Sequence, residues 1–442
     1  MKTGASGNGG QISRVAGRIE ARLGTVERWE LWILGAAMAA TVLLVWAYVL
    51  GIEHELGGDE IGYHADALLY ADGHWLWSAS PFGNPHPSAW KTPIYPIWLG
   101  GLYSFLGVEA RGAGLIQGLL LAPLTVLLTW LLARRLFTPP VAAIAAVLIA
   151  AFPLSWEYFG LLFPEALAIP FTLAALLVFV DREPTPRLAA LTGFLIGVNM
   201  LIRPSAMFLA VACAASFIVV AGLRRGVAMT ALAGLVAVLT IAPWTVRNAI
   251  ELDGLIPLSV QDAAVYGTFN EESAADNFQW RPVLQDPPEA FARLERGEIG
   301  EPELRSELYA FAGEYIRDHP ASVVKAAFHN GIRRIWDLRP PSEALTESDF
   351  AGRSRTVRGI GLAMYYLLLP AALIGLWRLR RRRELFYPVL VTVASIALIF
   401  AVIGTTRYRA PLEPVIAILA ASAAIPLLDR RRSAPARNDA GG

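Results

Sequence analysis

The chain has 442 residues, 55% of them apolar and 17% charged, with a mean hydropathy of +0.46. Soluble domains average about a quarter charged residues and rarely repeat apolar runs of ~20, so a soluble fold is excluded and a polytopic membrane protein is expected. The net charge of +1 and the single cysteine, Cys213, give no support to nucleic acid as a partner and exclude an intrachain disulfide or a thiolate metal cluster.

Residues 1–30 read as a polar cytoplasmic tail, with Lys2, Arg14, Arg18, Arg22 and Arg28 as its cations. The apolar run 31–50 follows; it is long and lacks a small-residue cleavage site, so it is expected to stay as an anchor. Further runs lie at 112–136, 139–154, 163–181, 187–202, 204–222, 226–243, 357–377, 385–403 and 409–428. One more apolar piece, 94–108 (containing YPIWLGGLYSFLG), is too short for an ordinary span and fits a helix lying in the interface. Charge decides this point. With 94–108 left out and the N-terminus inside, Arg134–Arg135, Arg224–Arg225, Arg378–Arg383 and Arg430–Arg432 all fall on the cytoplasmic side, as the positive-inside rule requires. Counting it as a span would put all of them outside.

The expected fold is therefore an all-α polytopic bundle of about ten transmembrane helices with both ends inside. The organisation is a tail 1–30, a transmembrane catalytic module 31–243 that includes a first outer loop 51–111, an outer loop or subdomain 244–356, C-terminal spans 357–428 and a tail 429–442. Residues Met1–Gly10 and Ser433–Gly442 read as disordered. Pro320 interrupts a helical stretch of the second outer loop.

The first outer loop opens with GGDEIGYHADALLYADG. Ile61, Ala65, Leu68 and Leu69 fall at helical spacing, so Glu60 to Ala71 reads as an amphipathic surface helix with Asp59 at its N-cap. An N-cap role alone explains an Asp there. What points beyond it is the set of cations on the same rim: Lys91, Arg111, Arg203, Arg247, Arg407 and Arg409, all on the side where the topology disfavours them. Together they suggest a pocket for an anionic headgroup, since guanidinium forks suit phosphate; singly, each could be a lipid anchor. A second acid, Glu165, sits between Pro164 and Pro170 at an outer helix start, where it would also favour the helix dipole. His64, His74 and His86 lie nearby without a convincing metal-ligand spacing.

An ordered set of motifs runs from residue 57 to about 421: GGDEIGYHADALLYADG, WKTPIYPIWLGGLYSFLG, EARGAGLIQGLLLAPLTVLLTWLLARRLF, LLFPEAL, LIRPSAMFL, APWTVRNAIELDGLIPLS, YIRDHP and RYRAPLEPVIAILAA. In order and in membrane context, the chain resembles the GT-C glycosyltransferases of the protein O-mannosyltransferase and lipid A aminoarabinose transferase type (family 39-like), which use polyprenyl-phosphate sugars.

The resemblance implies a GT-C helical bundle with an interfacial helix at 94–108 and an active site facing the periplasm or cell exterior. It implies Asp59, of the Asp59-Glu60 pair, as the catalytic carboxylate, with Glu60 beside it and Glu165 as further catalytic acids. Lys91 corresponds to the lysine of the family's Lys-Pro-Pro motif, although here the motif reads Lys91-Thr92-Pro93. Arg407, Tyr408 and Arg409 correspond to the family's Arg-Tyr-Arg. Lys91, Arg203, Arg247, Arg407 and Arg409 are then expected to bind donor phosphate, and Tyr63, Tyr95 and Tyr408 to touch substrate. The partners implied are a polyprenyl-phosphate sugar donor, a glycan, lipid or protein acceptor, and the bilayer; a divalent cation, Mg2+ or Mn2+, is left open. Two other classes compete: a multi-span transporter, disfavoured because the charges gather at one face and no internal duplication is visible, and a non-catalytic lipid-linked-glycan binding protein.

Overall fold

The structure is a computed structural model that describes residues 25–51, 55–78, 85–107, 109–281, 289–350, 354–399 and 403–424. The sequence readings of the two tails beyond Thr25 and Ala424, with their cations, lie outside the described residues.

All ten apolar runs form helices. They are α1 (Arg28–Gly51), α4 (Ala110–Leu136), the pair α5 (Pro139–Ala151) and α6 (Pro153–Gly160), α7 (Glu165–Phe179), α8 (Pro186–Ile202), α9 (Phe208–Ala221, entered through a 3-10 turn Pro204–Met207), α10 (Leu223–Glu251), α16 (Arg355–Arg378), α17 (Arg383–Ile399) and α18 (Glu413–Ser422). Between α1 and α4 lie the amphipathic α2 (Asp59–Ala71) and the interfacial α3 (Ile94–Leu106). Among the described residues, five helices are long and apolar enough to cross a membrane, or six when the α5–α6 pair, bent by 54° at Pro153, counts as one span. The other four of the ten are shorter: α7 and α8 have 15 and 17 residues, about 22 and 25 Å at 1.5 Å per residue, against a hydrocarbon core of about 30 Å.

At 13 residues α3 is about 20 Å long and cannot span. It packs Tyr95, Leu99 and Tyr103 inward and leaves Phe105 and Leu106 exposed. Its partner is α2, and the approach is tight: a Cβ on Gly100 would stand 2.5 Å from Tyr70 Cβ. The two predicted surface helices thus form one layer over the bundle.

The expected cytoplasmic cations meet at one end of the bundle. Arg134 at the end of α4 bonds Glu30 (2.8 Å) and the Thr25 carbonyl at the start of α1, and Arg382 bonds the Leu136 carbonyl. In the bundle interior, Gly193 and Gly197 let α8 lie directly on α10, where a Cβ would meet the Ala233 carbonyl oxygen at 2.1 Å; small residues spaced by four permit such approach.

One reading is corrected here. The span predicted to end at Pro243 continues as helix to Glu251, because a proline inside a membrane helix can be accommodated by its surroundings. Arg247 therefore rides on a rigid helix rather than a loop. The Pro/Ser/His linker of the first outer loop adds two short antiparallel strands, β1 (Trp77–Ser78) and β2 (His86–Pro87), to a fold that is otherwise helical, as expected.

The second outer loop is built from α11 (Glu271–Ala275), α12 (Glu289–Glu295), α13 (Glu301–Asp318), α14 (Ala321–Ala326) and α15 (Pro341–Phe350). Glu301 joins it to the first loop, accepting from Ser88 Oγ (2.5 Å) and the Ala89 amide (2.8 Å). The α13–α14 break falls at His319–Pro320, as Pro320 requires.

Candidate active site

Asp59 begins α2, but as its first helical residue: Gly58, with φ of 54°, occupies the cap and no side chain caps the helix. The left-handed φ explains the glycine there. Freed from capping, the Asp59 carboxylate accepts from Arg407 Nη1 at 2.5 Å and keeps 48% of its side chain exposed. Glu165, fully buried at the start of α7, accepts from Arg407 Nε at 2.7 Å and from Arg203 Nη1. Asp59, Arg407, Glu165 and Arg203 thus form an alternating chain of charges that runs from the surface inward. Arg407 lies over the Phe163 ring at 4.2 Å and Arg203 over the Tyr408 ring at 4.7 Å.

Burial pushes the Asp59 carboxyl up, but the Arg407 guanidinium and its hydrogen bond more than offset this, so the group is held below the ordinary aspartate value. Asp59 is therefore an anion in the resting protein.

Glu60 points the other way. It is buried and accepts the Leu162 amide at 2.8 Å and the Gly57 amide at 3.4 Å. Those bonds tie the start of α2 to the turn before Glu165, so Glu60 positions the two acids relative to each other.

Lys91 is buried and donates to Asp66 Oδ2 at 2.8 Å; Asp66 also accepts from Ser78 Oγ. Its ammonium lies 5.0 Å from the Tyr63 ring centroid, and Tyr63 packs edge-on to Tyr95 at 5.1 Å. Tyr95 itself is fully buried, with its hydroxyl on Gln117. Where the family motif has a second proline, the Thr92 hydroxyl donates to the Ile202 carbonyl at 2.9 Å. The departure from the motif thus pins the Lys91 segment to the residue preceding Arg203.

Two predicted phosphate ligands are placed elsewhere. Arg247 donates to the Ser88 and Leu76 carbonyls, both at 3.0 Å, and so clamps the first outer loop. Arg409 is fully buried and bonds Glu413 (2.6 Å), the Ile335 carbonyl (2.7 Å) and Asp337 (3.2 Å). The 3-10 turns Thr406–Tyr408 and Ala410–Leu412 send Arg407 and Arg409 to opposite sides. Around Asp337 gathers a second cluster, with Arg339 at 3.3 Å and Arg358 at 3.8 Å, Arg358 also donating to Thr406 Oγ1 at 2.8 Å. Sequence reasoning missed this cluster. The available signal was Arg358 inside a predicted span, since an intramembrane charge invites a functional or structural partner.

Among the described residues no three His, Cys, Asp or Glu side chains come together to hold a metal ion. Asp59 and Glu165 face a guanidinium between them, a donor set that fits an anion-binding rim better than a divalent cation.

Residues 91–246, about a third of the chain, match the model of the family described as dolichyl-phosphate-mannose-protein mannosyltransferase. In structure, the chain matches the archaeal oligosaccharyltransferase AglB from Archaeoglobus fulgidus, solved with an inhibitory peptide and a dolichol-phosphate, at a TM-score of 0.52 and 18% identity, over 93% of this chain and 52% of that one. A second A. fulgidus oligosaccharyltransferase structure, with zinc and sulfate, matches at 0.50 and 15% over 90% and 49% of the two chains. ArnT from Cupriavidus metallidurans, bound to undecaprenyl phosphate, gives 0.40 and 16% over 87% and 76%. The chain spans about half the length of the oligosaccharyltransferases it matches. No curated protein matches it in sequence. Residues 91–246 are thus similar to the dolichyl-phosphate-mannose-protein mannosyltransferase family, and the fold over most of the chain is similar to that of the archaeal oligosaccharyltransferase.

Proposed function

We propose that the protein is an inverting membrane glycosyltransferase that moves a sugar from a polyprenyl-phosphate donor to an acceptor hydroxyl on the extracytoplasmic side of the inner or plasma membrane. The observation that carries this reading is the Asp59–Arg407–Glu165–Arg203 chain: a half-exposed carboxylate at the mouth, with guanidiniums behind it. The oligosaccharyltransferase of the same fold was solved with a dolichol-phosphate, which supports a lipid phosphate as the donor class here.

In this reading the donor chain lies in the bilayer and its phosphate meets Arg407 and Arg203, the guanidiniums that also hold Asp59 and Glu165. Asp59 takes the proton of the acceptor hydroxyl as that oxygen bonds to the anomeric carbon. The bond from that carbon to the phosphate oxygen breaks, and the leaving polyprenyl phosphate gains a negative charge. A single displacement inverts the centre. Because Asp59 is held anionic and is a weak base, orientation and electrostatic stabilisation of the leaving phosphate supply most of the acceleration. Glu165 fixes both guanidiniums, Lys91 adds positive potential from its pair with Asp66, and Tyr63 and Tyr408 wall the cleft. Arg247 and Arg409 serve the scaffold rather than the donor.

The test is release of free polyprenyl phosphate from a panel of lipid-linked sugars by the reconstituted protein, beside Asp59→Asn, with native membrane extract as acceptor source. Sugar-dependent release that vanishes in the variant is expected. No release from any donor, or equal release by the variant, would overturn the reading.

A further inference from the structure

The second outer loop holds a cavity of about 520 Å3 that the reaction site does not use, within the ~300–1,000 Å3 range of small-molecule sites. One wall is the continuous helix Ala321–Arg334, which passes from α into π register at Ala327; such π segments recur at functional sites. Ser322, Lys325 and His329 line the cavity, and their spacing puts them on one helix face. The Ser322 hydroxyl is buried (3% exposed) and has no hydrogen-bond partner, and neither has His329 Nδ1. Buried polar atoms left this way invite a ligand that completes them.

The facing wall is aromatic. Tyr315 and His319 stack at 4.6 Å with 26° between their planes. The third side is Asn277–Phe278, two non-glycine residues with φ of 52° and 59°. Their strained backbone is held by Arg334 on the Asn277 carbonyl (2.8 Å) and Asn330 on the Phe278 carbonyl (3.0 Å). Burial, then Arg334 and Arg333, lower the His329 value, so a neutral imidazole faces the cavity.

We propose that this cavity binds a sugar residue of a glycan acceptor. A pyranose offers a flat C–H face for the Tyr315–His319 stack and hydroxyls for Ser322, His329 and Asn277. Lys325 is the one lining residue with a permanent charge, which is little for a phosphate headgroup. The cavity is also wired to the reaction site. Three residues after Arg334 comes Asp337, which with the Ile335 carbonyl holds Arg409, two residues from Arg407. Beside the polar face, Val324, Phe328 and Ile332 are exposed at spacing of four, an apolar stripe suited to the lipid surface. The word acceptor rests on the transferase reading; the sugar site does not.

The test uses the full-length protein in nanodiscs without donor. Binding of defined manno-, gluco- and galacto-oligosaccharides is measured by saturation-transfer NMR, with glycerol phosphate and unglycosylated peptide as competing arms. At least one oligosaccharide series should bind. Tyr315→Ala and Ser322→Val should each weaken it, Tyr315→Ala by about tenfold, with unchanged melting temperature; Val324→Ser, on the neighbouring face, should bind as wild type. No glycan binding, binding that ignores both cavity variants, or preference for glycerol phosphate or peptide would overturn the proposal. Asp59→Asn should still bind glycan, so a wild type that binds but transfers nothing counts against the transferase reading alone.

Discussion

Two ion clusters flank the turn at residues 407–409, and they are built from the same kinds of side chain. One joins Asp59, Arg407, Glu165 and Arg203 and opens to solvent at Asp59; the other joins Asp337, Arg409, Glu413, Arg339 and Arg358 and is closed on all sides. In the closed cluster every carboxylate and guanidinium is buried among partners, so it can only hold elements together: the end of the second outer loop, α16 and the start of α18. In the open one the outermost carboxylate is half free, and a half-free charge is what a reacting group needs. Composition does not separate structural from chemical charge here; exposure at one end of the chain does.

Breaking the open cluster at its mouth should have the largest effect. Asp59→Asn is expected to lower donor turnover by about 10²–10⁴-fold with little change in melting temperature, because Arg407 keeps Glu165; parallel turnover and melting curves check both. Breaking the closed cluster should do the reverse. Asp337→Ala removes the carboxylate that Arg339, Arg358 and Arg409 share, leaving only Glu413 on Arg409 and Glu157 near Arg358, and should cost about 3–5 kcal/mol of stability, read by denaturation in detergent, with the donor KM of the folded fraction unchanged. Glu165→Ala lies between the two, losing stability on that scale and turnover together. A smaller effect is the pH profile. Arg407 holds Asp59 below the ordinary aspartate value, so the acid limb of kcat/KM should lie below that of a free aspartate, and Arg407→Met should move it upward. The same depression contributes folding stability at neutral pH that is lost as pH falls through the folded-state value. The smallest is Glu60→Gln, which keeps an acceptor for the Leu162 amide and should change turnover only a few-fold, by about the worth of one hydrogen bond. A loss as large as that of Asp59→Asn would make Glu60 a reacting group.

Much of this was legible in the chain. Each of the ten apolar runs holds a helix, of which five or six among the described residues are long and apolar enough to cross a membrane, and 94–108 holds a helix too short to do so. Asp59 and Glu165 were singled out, and the structure brings them to one arginine. What could not be read was direction. Arg407 and Arg409 are the same residue type two positions apart, and only the 3-10 backbone decides that one meets Glu165 and the other Asp337. Arg247 looked like a rim cation because Pro243 looked like a helix end. Glu60 looked equivalent to its neighbour, yet adjacent helix positions face about 100° apart, and that angle alone turns it into a backbone clamp. Each of these choices depends on partners some 70 or more residues away in sequence, which local pattern does not encode.

The long α10 carries a consequence beyond the site itself. Its 29 residues make a rod of about 43 Å, longer than a bilayer core, and Arg247 near its outer end grips the Leu76 and Ser88 carbonyls. A bilayer that is too thin or too thick is met by tilting such a rod, and the tilt would be delivered through Arg247 to the loop that carries Lys91. Catalysis should then respond to acyl-chain length: turnover in short-chain and long-chain bilayers should differ for the wild type, and Arg247→Met should flatten that dependence. Turnover would then report membrane thickness through a lever already present in the fold.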